Sequence, residues 1–374
     1  MHFNKKIRDK KKIVFFMPFI GGGGVEKNLF LIGNFITKYY NNLYLITSSS
    51  KYKNKFNKRI NFVTPSRNLS ENLNIRLKYL ICLFLLFKFL IKNKNTTVFS
   101  FQANIYCIIL CKFFNIKIIV RSNSSPSGWY HNFIKKALYK FIISKADIVI
   151  TNSLEFKKEM QKNFKIKVKC IYNPLNINEI KKKSKYKIKD KFFNKKKSLK
   201  ILNIGRLTKQ KDQITILKAI QNLIQKKIRV RLLIIGRGEE KGNLLKYIFE
   251  NKLTKFVKLK NFLENPYPYI KKSDLFVLSS KYEGLPNVLL DSVVLKKFIV
   301  STDCPTGPSE ILDKGKGGYL FDIGDHKNLS EIIFKYYKNK SISYPKIDHA
   351  YKRLYRFDFN KNMKNYLDVI KKIN

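Results

Sequence analysis

Residues 263–312 read LENPYPYIKKSDLFVLSSKYEGLPNVLLDSVVLKKFIVSTDCPTGPSEIL, and this stretch decides the fold. An apolar run over 275–279 predicts a strand that ends in a Tyr-Glu-Gly-Leu-Pro turn. A helical stretch follows, and a second strand then leads into a Gly-Pro-Ser-Glu turn. This order predicts parallel strands whose carboxyl ends lie at one edge of a sheet. Open α/β sheets bind their ligands at that edge.

The same alternation of apolar runs and helical patterns extends outward through most of the chain. It predicts an α/β protein with two Rossmann-like, doubly wound domains that face each other across a cleft. Asp212 is the predicted N-cap of the helix that follows the first strand of the second half. The ten predicted strands are Ile13–Met17, Leu43–Thr47, Val98–Phe101, Lys117–Arg121, Asp147–Thr151, Ile201–Ile204, Val230–Ile235, Phe256–Leu259, Leu275–Ser279 and Phe298–Thr302.

Composition predicts four segments. Residues 1–177 and 200–345 form the two Rossmann-like domains, and the Lys-, Asn- and Asp-rich residues 178–199 form a solvated basic linker. Residues 346–374 are helical and basic, and we expect them to pack back on the N-terminal domain.

The chain is strongly basic, with 77 Lys and Arg against 25 Asp and Glu and a formal net charge of +52. Over-use of Lys, Asn, Ile, Phe and Tyr throughout is typical of an AT-rich genome, so coding bias is one explanation. Binding to nucleic acid or to an anionic membrane is another. The most apolar window, residues 79–91, contains Lys88 and is shorter than the roughly 17–25 residues of a membrane-spanning helix. It is either a core helix or a helix that lies partly in a membrane surface.

The five cysteines form no CxxC pair and have no matching His cluster, so neither a metal site nor a disulfide framework is predicted. A reducing cytosol fits this pattern, and the polar, basic N-terminus up to Lys12 is unlike a signal peptide. Cys304 has no accompanying His and is interpreted as a small packing residue.

Two loops have the composition of ligand sites. Gly21–Gly24, ahead of Glu26, is either a loop that approaches a ligand closely or a flexible strand-to-helix turn. It matches neither the P-loop nor the dinucleotide fingerprint. In the second half, Arg206 and Lys211 follow a strand that ends at Gly205. Two fixed cations there suit a diphosphate and stabilise a departing nucleoside diphosphate without a metal.

The strings GRLTKQKD (205–212), YEGLPNVLL (282–290) and TDCPTGPSEIL (302–312) resemble the nucleotide-sugar half of the retaining glycosyltransferases of family 4, which have the GT-B fold. The resemblance covers residues 12–330 and is strongest over 200–322. It implies that residues 1–177 bind the acceptor and residues 200–345 the nucleotide sugar. The family has two glutamates with seven residues between them, and here Glu283 holds the first position and the shorter Asp291 the second, which puts the ribose contact in doubt.

The resemblance also implies a set of site residues. The predicted catalytic residues are Glu283, Arg206 and Lys211. The predicted donor-binding residues are Gly22, Gly23, Gly205, Gly236, Leu263, Gly284, Leu285, Asn287, Asp291 and Glu310. The predicted acceptor or cleft residues are Glu26, Arg121, Asn123 and His131.

The implied activity is transfer of a hexose or N-acetylhexosamine, with retention, from a nucleotide-diphosphate donor, expected to be a UDP-sugar. No metal or other cofactor is expected. The expected acceptor is a polyprenyl-linked oligosaccharide of a bacterial surface glycan such as O-antigen or capsule, with the enzyme peripheral on the inner face of the cytoplasmic membrane. An anionic membrane surface is an expected partner, and a specific nucleic acid is not. A UDP-sugar epimerase of the same fold and a basic nucleic-acid-binding protein are the alternatives.

Overall fold

The computed structural model describes residues 11–65, 73–123, 132–188, 190–193 and 198–373. The chain divides into two compact units, of which unit 1 comprises Met1–Pro174 and Phe359–Asn374 and unit 2 comprises Leu175–Asp358. Each unit contains one parallel sheet with flanking helices, so the predicted α/β class is confirmed.

Unit 1 is built on seven parallel strands in the order β3-β2-β1-β4-β5-β6-β7. This order reverses between β1 and β4, as in the doubly wound nucleotide-binding folds. The strands are β1 Lys12–Phe16, β2 Leu43–Ile46, β3 Ile60–Val63, β4 Thr96–Ser100, β5 Lys117–Arg121, β6 Ile148–Thr151 and β7 Val168–Cys170. The helices are α1 Gly24–Ile36, α2 Ile75–Lys92, α3 Asn104–Phe113, α4 Phe133–Ile143 and α5 Leu154–Phe164.

The two faces of this sheet have different covers. Helices α2 to α5 pack on one face, where Leu86, Ile108 and Phe156 share a core with strand residues such as Val98. On the other face, α1 packs with the C-terminal helix Phe359–Ile373, which we number α14. Helix α14 therefore belongs to the same core as β1, although the two lie at opposite ends of the sequence.

Arg121, at the end of β5, ties α14 to this sheet. Its side chain is fully buried, Nε donates to Tyr366 Oη at 2.9 Å, and Nη2 donates to Asn173 Oδ1 at 2.5 Å. Burial raises the pKa of the Tyr366 hydroxyl above its usual value, with the Arg121 charge acting in the opposite direction. A buried charge that has lost water needs such polar partners.

Unit 2 has six parallel strands in the order β10-β9-β8-β11-β12-β13, so its order reverses between β8 and β11. The strands are β8 Leu199–Ile204, β9 Val230–Ile235, β10 Val257–Lys260, β11 Leu275–Leu278, β12 Phe298–Thr302 and β13 Tyr319–Phe321. The α-helices are α6 Ile177–Lys183, α7 Gln213–Gln225, α8 Lys241–Glu250, α9 Tyr267–Lys272, α10 Asn287–Val294, α11 Pro308–Ile311, α12 His326–Lys338 and α13 Tyr344–Lys352.

The segment predicted as a solvated linker, residues 178–199, carries structure that the prediction lacked. Helix α6 is capped by the Asn176 side chain, buries Ile180, and contacts α9 and α10. Phe193 is fully buried, and the buried Asp190 lies 3.5 Å from Lys258 Nζ. Ile180, Phe193 and Asp190 therefore attach the described part of this Lys-rich segment to unit 2.

Three edge strands, β3, β7 and β13, were not predicted. The predicted N-cap is in place, because Asp212 directly precedes α7. Its carboxylate accepts from the Thr215 hydroxyl at 2.7 Å rather than from a backbone N–H. Within the described parts of the chain, no helix combines the length and the apolarity that crossing a membrane requires.

Replacing Tyr366 with Phe should lower the free energy of unfolding by about 1–3 kcal/mol, because the buried Arg121 Nε–H loses its acceptor. Urea denaturation measures the change. Tyr355→Phe is the control, since Tyr355 is 61% exposed. Equal stability of the Tyr366→Phe protein and the parent would show that the bond contributes nothing.

Candidate active site

The carboxyl edge of the sheet in unit 2 opens between β8 and β11, where the strand order reverses. These strands pair only through Leu275 with Ile201 and Phe276 with Leu202. Beyond that point the Asn203 side chain donates from Nδ2 to the Val277 carbonyl oxygen at 2.9 Å. The strands therefore part at their carboxyl ends, which is the place where doubly wound folds bind ligands.

An ion pair joins the two loops at this opening. Lys211, on the loop after β8, donates from Nζ to Oε1 of Glu283, on the loop after β11. The two side chains are only 15% and 8% exposed. The Ser280 hydroxyl donates to the same carboxylate oxygen at 2.6 Å. The carboxylate is thus held on two sides, and two predicted catalytic residues from distant parts of the sequence are in contact.

The backbone around Glu283 is fixed by the loop after β12. The Thr306 hydroxyl donates to the Glu283 carbonyl oxygen at 2.6 Å, and Glu283 N donates to the Pro305 carbonyl oxygen at 3.3 Å. At the end of β12, directly before this loop, the Thr302 hydroxyl donates to the Ser280 carbonyl oxygen at 2.7 Å. These bonds leave the acidic loop little freedom to move.

Arg206 is exposed at the same edge, and two glutamines orient its loop. Its Nη2 donates to Gln210 Oε1 at 3.3 Å, and Gln210 Nε2 donates to the Tyr282 carbonyl oxygen at 2.7 Å. The buried Gln213 donates to the Arg206 carbonyl oxygen at 2.9 Å. The guanidinium therefore faces solvent on a loop that is linked to the acidic loop.

Two glycines allow the loops to pack this closely. A Cβ on Gly236 would lie 1.9 Å from the carbonyl oxygen of Gly205. A Cβ on Gly307 would lie 2.0 Å from the carbonyl oxygen of Gly284, and Gly307 has a φ of +86°. The close approach of the Gly205 backbone thus explains why position 236 is a glycine.

The remaining predicted donor-binding residues of unit 2 occupy separate elements around this edge. Leu263 is half-buried after β10, and Leu285 is buried in the acidic loop. Asn287 and Asp291 lie one helical turn apart on α10, where Asp291 is buried. Glu310 is buried on α11, and Arg356 Nη1 donates to its carbonyl oxygen at 3.0 Å.

The glycine loop belongs to unit 1 and holds its own carboxylate. Gly22 has a φ of +79°, and Gly23 is the N-cap of α1. The buried Glu26 side chain turns back on the loop, where its Oε1 accepts from Gly21 N at 3.2 Å. A carboxylate at a helix N-terminus is favourable, and here it takes up an N–H group that an anionic ligand would otherwise use.

The other predicted acceptor or cleft residues also belong to unit 1. Arg121 is fully buried against Tyr366 and Asn173. Asn123 Nδ2 donates to the Phe101 carbonyl oxygen at 2.9 Å, and its Oδ1 has no hydrogen-bond partner among the described residues. His131 lies outside the described residues.

Cys304 lies beside the acidic loop as a buried thiol. Burial first, and the nearby Glu283 charge second, raise the pKa of this thiol to about 12. The thiol is therefore protonated at neutral pH, which fits a packing role. Among the described residues, no group of three or more His, Cys, Asp and Glu side chains is placed to hold a metal ion.

Sequence analysis missed Gln210, Ser280 and Thr306, which orient the ionic groups. The sequence indicates them only by their position, since each is an uncharged polar residue in a loop that follows a predicted strand. The arrangement as a whole presents a cation on a tethered loop, a buried ion pair and several loop backbones at one edge. Such a set can bind an anion and stabilise negative charge that develops on it.

Part of unit 2 is similar to a known protein family. Residues 184–353 match the family described as "Glycosyl transferases group 1". An uncharacterized glycosyltransferase of Methanocaldococcus jannaschii is 36% identical over 218 residues, which are 55% of this chain and 53% of that protein. The chain thus spans about half the length of that relative.

A Campylobacter jejuni relative matches over more of its length. It is the N-acetylgalactosamine-N,N'-diacetylbacillosaminyl-diphospho-undecaprenol 4-alpha-N-acetylgalactosaminyltransferase, 28% identical over 356 residues, 88% of this chain and 94% of that protein. Among solved structures, Anabaena HepE in complex with UDP and glucose superposes with a TM-score of 0.78 at 16% identity, covering 96% of this chain and 99% of that one. This structural likeness supports the fold alone.

Gly236→Ala should lower the free energy of unfolding by roughly 1–3 kcal/mol, the usual cost of overpacking, because the new methyl group collides with the Gly205 backbone. Gly242→Ala is the matched control, since a Cβ there meets no atom within 4 Å. Helix propensity predicts that the control is neutral or stabilising by up to about 1 kcal/mol. Denaturant titration of both variants tests the packing, and equal effects would contradict it.

Iodoacetamide at pH 8 should leave Cys304 unmodified in the folded protein, because a pKa of about 12 leaves the thiol almost wholly protonated. Cys170 is half-buried and serves as the internal comparison. Peptide mass mapping before and after unfolding gives the result. Faster alkylation of Cys304 than of Cys170 would show that the thiol is accessible and ionised.

Proposed function

We propose that the protein is a glycosyltransferase that transfers a hexose or N-acetylhexosamine from a UDP-sugar with retention. The match of residues 184–353 to the glycosyl transferases group 1 family supports this proposal. The proposed acceptor is a polyprenyl-linked oligosaccharide of a bacterial surface glycan. The observation that carries this proposal is the buried Lys211–Glu283 pair at the carboxyl edge of the unit 2 sheet.

The proposed donor site uses the charges at this edge. The Arg206 guanidinium is exposed and can turn both of its terminal N–H groups toward phosphate oxygens. The Lys211 ammonium has three donors, of which Glu283 takes one. Arg206 and Lys211 together supply two positive charges for a diphosphate, while Glu283 offers a carboxylate to the hydroxyl groups of the sugar.

The proposed reaction breaks the bond between the anomeric carbon and the β-phosphate oxygen. The acceptor hydroxyl oxygen forms the new bond on the face that UDP leaves, and its proton passes to the departing diphosphate. Arg206 and Lys211 stabilise the negative charge that grows on that diphosphate, so no metal is required. The contribution of the protein is then charge stabilisation and orientation of the acceptor.

Relatives support the proposed acceptor class. The Campylobacter jejuni protein, which matches over nearly its whole length, is named for an acceptor linked to diphospho-undecaprenol. An Erwinia amylovora relative is named for amylovoran biosynthesis. A polyprenyl carrier lies in the bilayer, so we propose that this enzyme works peripherally at the inner face of the cytoplasmic membrane.

Lys211→Gln should weaken UDP binding and lower turnover by about 10²–10³-fold, because a charge that stabilises the diphosphate is lost. Glu283→Gln should lower turnover without weakening UDP binding, because it removes the carboxylate offered to the sugar and no positive charge. UDP at 100 times its dissociation constant should stabilise the parent by about 2.7 kcal/mol, and thermal unfolding measures this gain. Glu179→Gln is the control, because Glu179 pairs with Lys183 at the surface. A parental response of both site variants to UDP, with parental turnover, would overturn the assignment.

The ligand series separates the donor from the alternatives. UDP, GDP, ADP, CMP and a short oligonucleotide are compared at matched salt, and we expect a shift with UDP. A shift with the oligonucleotide alone would favour the nucleic-acid-binding class. UDP release that requires an acceptor excludes an epimerase. Turnover in EDTA should equal turnover without it, and a loss that Mg²⁺ restores would contradict metal-independent charge stabilisation.

A further inference from the structure

One helical face of unit 1 is apolar and exposed. Helices α2, α3 and α4 cover the same side of the sheet, α3 contacts both of the others, and each helix buries one side in a common core. The opposite sides of these helices, which we call the α2–α4 face, carry large exposed apolar residues. They are Ile75, Leu77, Leu80, Phe84, Ile91, Tyr106, Ile109, Phe113, Phe133, Ile134, Leu138 and Phe141.

Helix α2 has two apolar sides. Cys82, Leu86 and Leu90 are fully buried, and Leu80 and Phe84 are 62% and 55% exposed on the other side. A surface helix of a globular protein normally presents polar groups to water there. Contiguous exposed apolar side chains of this kind mark an interaction surface.

The α2–α4 face also carries an excess of positive charge, although Lys112 of α3 is paired with Asp147 at 2.6 Å. No acidic residue occurs between Glu71 and Asp147, a stretch of 75 residues (72–146) with twelve Lys and Arg. Lys88 Nζ lies 4.4 Å from the ring centroid of Phe84, and Lys145 Nζ lies 4.9 Å from that of Phe141. Cations beside exposed aromatic rings combine an apolar body with a charged tip, which is the arrangement favoured at a membrane interface.

We propose that the α2–α4 face docks on an anionic phospholipid bilayer, with its apolar side chains in the headgroup and acyl boundary and its lysines on lipid phosphates. An excess of positive charge over carboxylates complements a surface of uniformly negative charge. Nucleic acid would use the lysines but leave the apolar side chains exposed. The inference rests on the proposed function only for the reason why the protein would bind a membrane. The face belongs to unit 1, whereas the proposed donor site belongs to unit 2.

The test is co-sedimentation of the full-length protein with phosphatidylcholine vesicles that contain or lack phosphatidylglycerol. We expect at least tenfold tighter binding to the anionic vesicles. Changing the apolar residues Leu80, Phe84, Phe133 and Ile134 to Ser should weaken that binding at least tenfold. The matched control is Leu245→Ser with Phe249→Ser, two exposed apolar residues of α8 in unit 2, and it should bind like the parent.

The electrostatic part is tested separately. Changing Lys135, Lys136 and Lys140 to Gln should weaken binding to anionic vesicles about a hundredfold, since each nearby lysine contributes roughly fivefold. Lys246, Lys252 and Lys255, exposed on unit 2, are the control positions for the same substitution. Thermal unfolding of each variant with UDP shows whether it is folded and still binds nucleotide.

Three results would overturn the proposal. Equal binding to both vesicle types removes the lipid specificity, and parental binding by the Ser variant assigns the contact to another surface. A parental dimer that the Ser variant dissociates would assign the face to a second copy of the chain. Vesicle binding without any UDP response would leave the docking surface standing and refute the proposed donor, so the two failures are distinguishable.

Discussion

Close backbone contact between neighbouring loops is the constraint on which the site of unit 2 depends. Gly236 packs on the carbonyl oxygen of Gly205, and Gly307 packs on the carbonyl oxygen of Gly284. A Cβ atom at either glycine would lie about 2 Å from that oxygen. These contacts hold the loops after β8, β9, β11 and β12 together at one sheet edge. A side chain at either glycine would push the cationic and acidic loops out of register.

The ion pair between Lys211 and Glu283 joins the two pairs of loops that these contacts hold. Removing two charges from water is costly, and attraction in the interior repays the cost only when the geometry is good and other hydrogen bonds are made. The Ser280 hydroxyl supplies such a bond to Glu283, and the Ser279 hydroxyl donates to the Lys211 carbonyl oxygen at 2.8 Å. A buried pair of this kind contributes little to the free energy of unfolding. Its role is better explained by the position that it gives to the two charges.

Sequence patterns predicted what is local and missed what only the fold brings together. The ten predicted strands are apolar runs, whereas the missed strands β3, β7 and β13 are three or four residues long and lie at sheet edges. These three strands are partly exposed, so their apolar pattern is weak, although β10 has a similar pattern at a sheet edge and was predicted. The role of Gln210 depends on Tyr282, 72 residues away, and the burial of Arg121 depends on Tyr366, 245 residues away. No local pattern contains such pairs.

The net charge of the chain reflects both many basic residues throughout and few acidic residues in its first part. Lys and Arg make up 77 of 374 residues, about one in five, but only 12 of the 75 residues of 72–146, about one in six. That stretch is therefore not enriched in basic residues. At the chain's average of 25 acidic residues in 374, it would hold about five, and it holds none. Residues 27–70 also contain no acidic residue, so Glu71 is the single carboxylate between Glu26 and Asp147. This acid-poor part of the chain includes the helices whose outer sides are apolar, and a surface that must approach negative charge is a physical setting in which both features are useful.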